Sequence, residues 1–212
     1  MTIKVGIVDC GISNLTSVFN AFHHIGVEVQ VITDPVGFKY CSHMVLPGVG
    51  SFATGIKNLE KSGFVPHIRE WAWAGKPLIG MCLGMQLLAE EGEEFGLSKG
   101  LGLIPGRVVK IKTNDTALRL PHVGWNDVKI DKRSRLLGGI DNPTDFYFVH
   151  RYGYDDPTAS YVTGVCQYGG AQVALIEKGN VFGTQFHPEK SQKDGLALLR
   201  NFIALSDTKV ST

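Results

Sequence analysis

The segment Gly80-Met81-Cys82-Leu83-Gly84 combines one thiol with two glycines at the spacing of a nucleophile elbow. Such an elbow turns the chain sharply from strand to helix and leaves a single reactive side chain at its tip. The residues before it, Lys76-Pro77-Leu78-Ile79, read as a strand, and Met85-Gln86-Leu87-Leu88-Ala89 after it read as a helix. A cysteine at a helix N-terminus meets free N–H groups and the positive end of the macrodipole, both of which favour the thiolate that attacks carbonyl carbon. The same segment would also accommodate an inert buried thiol, because free cysteine packs as a small hydrophobe. Cys10, Cys41 and Cys166 lack glycines at elbow spacing. The four cysteines lie far apart with no Cys-x-x-Cys pair, which fits neither a disulfide framework nor a zinc site.

A thiol nucleophile needs a base, and Gln185-Phe186-His187-Pro188-Glu189 offers one. The proline holds His187 in an extended conformation, and residues two apart in an extended segment face the same side. Glu189 can therefore orient one nitrogen of His187 and leave the other to exchange a proton with Cys82, giving a Cys-His-Glu triad. Among the seven histidines, His23 and His24 fall in a helical pattern, and His43 and His67 have no partner signature. His122 and His150 are harder to set aside. Pro47-Gly48-Val49-Gly50-Ser51 follows a strand and can turn successive N–H groups toward one point, suited to the oxyanion of a tetrahedral intermediate. A plain glycine turn or a phosphate loop would share that composition, although Gly-Lys-Ser/Thr and Gly-x-Gly-x-x-Gly are both missing.

The elements that must hold these groups alternate in the first half of the chain. Residues 3–8 form a buried-strand run, Leu15, Val18, Phe19, Phe22 and Ile25 recur at helical spacing up to Gly26, and residues 27–32 read as the next strand. A strand at 44–46, helices at 52–59 and 68–73, and the strand before the elbow continue the pattern. From Arg107 onward the texture is β-rich, with strands expected at 108–111, 128–130, 146–149, 161–167, 173–177 and 181–186. A last helix, capped by Ser191, carries Leu196, Leu199 and Ile203. The fold class is α/β: a mixed, mostly parallel central sheet flanked by helices, with an antiparallel extension. One domain is expected over residues 1–205, with a disordered tail at 206–212.

A chain of 212 residues that is 43% hydrophobic and 19% charged has material for one sizeable core. A net charge of +1 without a run of Lys or Arg leaves no electrostatic footprint for nucleic acid or an anionic membrane. The hydrophobic run before Asp9 is too short for a signal segment, and no later stretch reaches membrane-spanning length, so a cytoplasmic address is expected.

Pro47-Gly48-Val49-Gly50, Gly80-Met81-Cys82-Leu83-Gly84-Met85-Gln86 and His187-Pro188-Glu189-Lys190-Ser191, in this order, resemble the class I triad glutamine amidotransferases. Pro121-His122-Val123-Gly124-Trp125-Asn126 and Tyr147-Phe148-Val149-His150 are similar to motifs of one branch of that family, the glutaminase subunits of imidazole glycerol phosphate synthases. The resemblance implies a flavodoxin-like amidotransferase fold. In it, Cys82 attacks the side-chain amide of glutamine, His187 shuttles the proton, Glu189 orients His187, and a glutamyl thioester forms before hydrolysis. By the same resemblance Val49, Gly50 and Leu83 supply oxyanion N–H groups, while Gly48, Gln86, Glu94 and the backbone of Arg151 and Tyr152 bind the substrate.

No cofactor or metal is implied. The implied partner is a (β/α)8-barrel cyclase that consumes the ammonia in histidine biosynthesis and whose ligand activates the glutaminase. Asn14, Trp125, Asn126 and Lys190 match positions near that heterodimer interface. Arg151 departs from the family pattern, which usually has a small hydroxyl residue there. Similar subunits supply ammonia for amination or amidination of bacterial surface sugars, which is the alternative acceptor. A stand-alone cysteine hydrolase or a non-catalytic binding module would need, respectively, full turnover without a partner or a broken triad.

Overall fold

The computed structural model describes residues 3–11, 13–113, 118–131 and 134–207. Its opening unit is β1 (Lys4–Val8), α1 (Leu15–His24) and β2 (Glu28–Ile32), with the two strands parallel. The side chain of Asn14 caps α1, and Gly26 ends the turn beyond it at a φ of 85°, a region that costs glycine little. A 3-10 turn at Pro35–Tyr40 leads to β3 (His43–Gly48), followed by α2 (Phe52–Lys61), α3 (Phe64–Trp73), β4 (Leu78–Cys82) and the single-turn α4 (Leu83–Leu87).

The chain then adds β5 (Glu91–Gly92), β6 (Ser98–Lys99), β7 (Arg107–Lys110), β8 (His122–Ile130), β9 (Thr144–His150) and β10 (Tyr152–Tyr154). It continues through β11 (Val162–Gln167), β12 (Ala171–Lys178) and β13 (Val181–Thr184), and closes with α5 (Gln192–Ile203). Nine strands form one sheet in the order β2-β1-β3-β4-β13-β12-β11-β8-β9. From β2 to β13 every pairing is parallel, and every pairing from β13 to β9 is antiparallel. A second sheet, β10-β7-β5-β6, packs beside the first.

Strand alternation sorts the core into two layers. On β3, Met44 and Leu46 join a cluster with Phe52, Ile56 and Leu59 of α2 and Ile68 of α3, while Val45 faces the opposite cluster with Phe22 of α1 and Leu198, Leu199 and Phe202 of α5. Phe202 meets the edge of Phe182 from β13 at 6.2 Å, which ties α5 to the sheet. Truncating so large a buried ring costs about 3–5 kcal/mol. The sheet is therefore clamped from both sides, and the carboxyl ends of β3, β4 and β13 emerge together at one edge.

Three differences from the sequence expectations have physical causes. The short strands β5, β6 and β10 carry too few residues to show a period. Strand β8 begins six residues earlier than its apolar run, because pairing with β9 continues from Val128–Thr144 up to His122–His150. Ser191 does not cap α5 with its side chain: its hydroxyl donates to the His187 carbonyl at 2.6 Å and accepts from Tyr147 N. At the C-terminus the Ser206 carbonyl accepts a hydrogen bond from Asn180, and residues 208–212 of the expected tail lie outside the described residues. Among the described residues no helix is long and apolar enough to cross a membrane, and no His, Cys, Asp or Glu cluster fits a metal ion.

Candidate active site

The site is built where β3 and β4 end side by side. At Cys82 the backbone takes φ 52° and ψ −111°, a strained conformation for a residue with a Cβ, costing on the order of 1–3 kcal/mol. Close backbone contact holds it there: a Cβ on Gly84 would overlap the Leu46 carbonyl oxygen, and one on Gly80 would collide with the backbone of Gly84. The two glycines are thus required for approach as well as for turning. With only five residues, α4 contributes little macrodipole, and the N–H groups of its first turn are what it offers an anion.

His187 lies beyond the end of β13, and Pro188–Lys190 forms a 3-10 turn rather than continuing extended. That turn brings Glu189 Oε1 to 2.8 Å from His187 Nδ1. Both side chains are buried, and Glu189 Oε2 has no hydrogen-bond partner among the described residues. Burial alone would lower the basicity of His187, but its interactions with Cys82 and Glu189 outweigh that and push it up to about 10. His187 thus holds its proton tightly beside the Cys82 sulfur.

Around them lies a pocket of about 360 Å³, a size suited to a small polar substrate. Val49, Gly50, Cys82, Leu83, Gln86, Glu94, Arg151, Tyr152, His187 and Lys190 all line it. Gly50 takes a φ of 103°, and the Cys82 thiol points toward the Val149 carbonyl at 3.7 Å. Glu94 receives the N–H of Phe52 at 2.9 Å and, like Arg151 and Lys190, lines the pocket. The Arg151 guanidinium rests 3.4 Å from the Leu120 carbonyl at the rim.

Gly48 does not reach the pocket: it packs behind the elbow, where a Cβ would press on Gly84 N and on Leu83. Asn14 lies behind His187 and Glu189 rather than among the pocket residues. Trp125 is exposed on β8, edge-on to Tyr147, and Lys190 Nζ sits 5.9 Å from the Tyr147 ring. Asn126 turns inward to His122.

Gln185 is a site residue that motif reading overlooked. It is fully buried, with Nε2 at 3.9 Å from Cys82 Sγ and Oε1 accepting from Gln86 Nε2 at 3.0 Å. The alternation that places His187 on this side places Gln185 there too, two residues earlier, so the signal was present. Two other histidines do structural work: His43 bridges Ser42 and the Leu205 carbonyl, and His67 bonds the Gly63 carbonyl.

Over residues 6–205 the chain matches the family described as Glutamine amidotransferase class-I. The chain belongs to that family. Cys82, His187 and Glu189 all fall within the amidotransferase match. The subunit HisH 1 of imidazole glycerol phosphate synthase from Campylobacter jejuni (strain RM1221) is 45% identical over 202 residues, covering 95% of this chain and 100% of that one. The HisH subunit of Moorella thermoacetica is 43% identical over 198 residues, 93% of each chain. Among solved structures, a chain of PurLQS from Thermotoga maritima superposes with a TM-score of 0.75 at 18% identity, covering 96% of this chain and 99% of its own. A structure described as a glutamine amidotransferase gives 0.73 at 20% identity, covering 94% and 97%. At those identities the superpositions speak for the amidotransferase fold alone.

Proposed function

We propose that this chain is the glutaminase subunit of an imidazole glycerol phosphate synthase, hydrolysing glutamine and passing the ammonia to a (β/α)8-barrel cyclase bound to it as a heterodimer. The observation that carries the reading is the buried His187–Glu189 pair beside a strained, pocket-lining Cys82, in a chain 40–45% identical to HisH subunits over nearly its full length.

The Cys82 thiolate adds to the side-chain amide carbon of glutamine, forming a C–S bond. The oxyanion faces the N–H groups of Val49, Gly50 and Leu83, which ring the same pocket. His187 donates its proton to the amide nitrogen, the C–N bond breaks, and ammonia leaves a glutamyl thioester. His187, now neutral, takes a proton from water as the water attacks; the C–S bond breaks, releasing glutamate and the thiolate. Glu189 keeps His187 Nε2 turned toward sulfur throughout. Glu94 receives the ammonium of the substrate, and Gln86 with the backbone of Arg151 and Tyr152 completes the grip on its amino-acid end.

An apolar rim supports the partner. Val49, Val123, Trp125 and Val149 are exposed large hydrophobics, and Val123 and Val149 are register partners on β8 and β9 beside the pocket mouth. Exposed apolar groups gathered at a site entrance mark a docking surface.

The test is glutamate release by the purified chain, alone and with the cyclase barrel of its own cell plus that barrel's nucleotide ligand. Strong ligand-dependent stimulation is the expected result. A folded chain that this barrel leaves unstimulated would move the assignment to the amination or amidination of surface sugars, to which Arg151 lends its one point of support, or to another partner.

A further inference from the structure

A series of hydrogen bonds through the buried His122–His150 pair joins Asn126 on β8 to the pocket. The Tyr152 carbonyl, an acceptor only, lies 3.0 Å from His150 Nδ1, so that nitrogen carries the proton. His150 Nε2 then accepts, and its partner at 3.0 Å, His122 Nδ1, donates. His122 Nε2 in turn accepts from Asn126 Nδ2 at 3.2 Å, and Asn126 Nδ2 also lies 3.0 Å from the Gln167 carbonyl. A single fixed acceptor therefore sets the direction of every bond and gives both imidazoles the Nδ1–H tautomer.

At the inner end, the Tyr152 carbonyl also accepts from Gln86 Nε2 at 2.8 Å, and Gln86 touches Gln185, which reaches Cys82. His122 is clamped between Tyr168, stacked at 3.9 Å, and Phe148, stacked at 4.8 Å, so its plane cannot rotate freely. The titratable groups facing the pair are Tyr168 on His122, with Tyr152 and His187 near His150; no carboxylate bonds either ring among the described residues. This is the reverse of the arrangement at His187, where Glu189 holds a proton in place.

We infer that His122 and His150 form a neutral, one-directional strut that positions the Tyr152 carbonyl and Gln86 for glutamine, with Asn126 on the partner-facing strand as its outer end. This rests on the glutaminase reading of the pocket. Burial pulls both histidines down to about 4, in keeping with neutral rings at physiological pH. A polar chain in the interior is costly unless every member is satisfied, and here every ring nitrogen is. His122 and His150 are positioning residues, acting on substrate through Tyr152 and Gln86.

Two measurements test the strut. In ¹⁵N-histidine spectra of the intact chain, two neutral rings should show the Nδ1–H tautomer, the minor form of free histidine, and keep it from about pH 5 to about pH 8. In the assembled synthase, His122→Phe keeps the stacking but not the nitrogens, and should raise the KM for glutamine about tenfold with kcat within about twofold. His122→Asn restores a donor at the Nδ1 position and should recover most of that loss. An Nε2–H tautomer, titration of either ring within that pH range, an unchanged KM in folded His122→Phe, or no recovery in His122→Asn would overturn the inference. Wild-type protein that releases no glutamate would instead sink the glutaminase reading, and the tautomer measurement would still decide the strut.

Discussion

Gly48 and Cys82 are register partners at the ends of parallel β3 and β4. The chain therefore leaves both strands side by side, and the Val49-Gly50 turn and the nucleophile elbow open onto one pocket. The spacing depends on contact between Gly84 and the Leu46 carbonyl. Gly84→Ala is expected to destabilise the chain by at least about 3 kcal/mol, seen as loss of soluble protein or a large fall in Tm. Gly138→Ala is the control: a Cβ there meets nothing, and its effect should stay within about 0.5 kcal/mol.

Replacing Cys82 with alanine removes the sulfur proposed to form the thioester. Glutamate release should fall by about a thousandfold or more while Tm changes by only a few degrees, because the side chain sits at a tip rather than in a packed layer. Retained hydrolysis in folded Cys82→Ala protein would refute the triad assignment.

The contacts of His187 with Cys82 and Glu189 predict a pH signature. His187 in the folded chain lies at about 10, above its ordinary 6.5. Its contribution to stability is therefore complete below about pH 6.5 and is lost as pH climbs through about 10. Denaturant midpoints of the wild type should decline across that interval. Glu189→Gln should flatten the decline and lower kcat by roughly 10²–10⁴. A parallel decline in both proteins would show that the pair is not its source.

Glu94 is expected to act on binding rather than on chemistry. Glu94→Gln keeps an acceptor for the Phe52 N–H but deletes the charge proposed to meet the substrate ammonium. A KM for glutamine raised about ten- to a hundredfold with kcat little altered is the expected pattern, measured by steady-state glutamate release.

Lys190 follows the triad carboxylate directly, and its ammonium lies near Tyr147 at the pocket edge. Lys190→Ala should reduce stimulation by the cyclase barrel about tenfold while leaving Tm within about two degrees. Titration with the barrel, followed by glutamate release, separates the two effects.

The features legible in the residue order alone are local. Cys82 between its two glycines, His187 followed by Pro188 and Glu189, and the alternation of strand and helix periods are written in neighbouring residues, because elbow chemistry, proline stiffness and amphipathic spacing act over a few positions. Tertiary structure decided what depends on pairing between distant segments. Glu189 meets His187 through a 3-10 turn, not the extended strand that the spacing suggested. Gln185 reaches Cys82 across 103 positions of chain, and His122 meets His150 only because β8 and β9 pair to their ends. Register is set by the sum of many cross-strand contacts, so no short stretch of residues contains it.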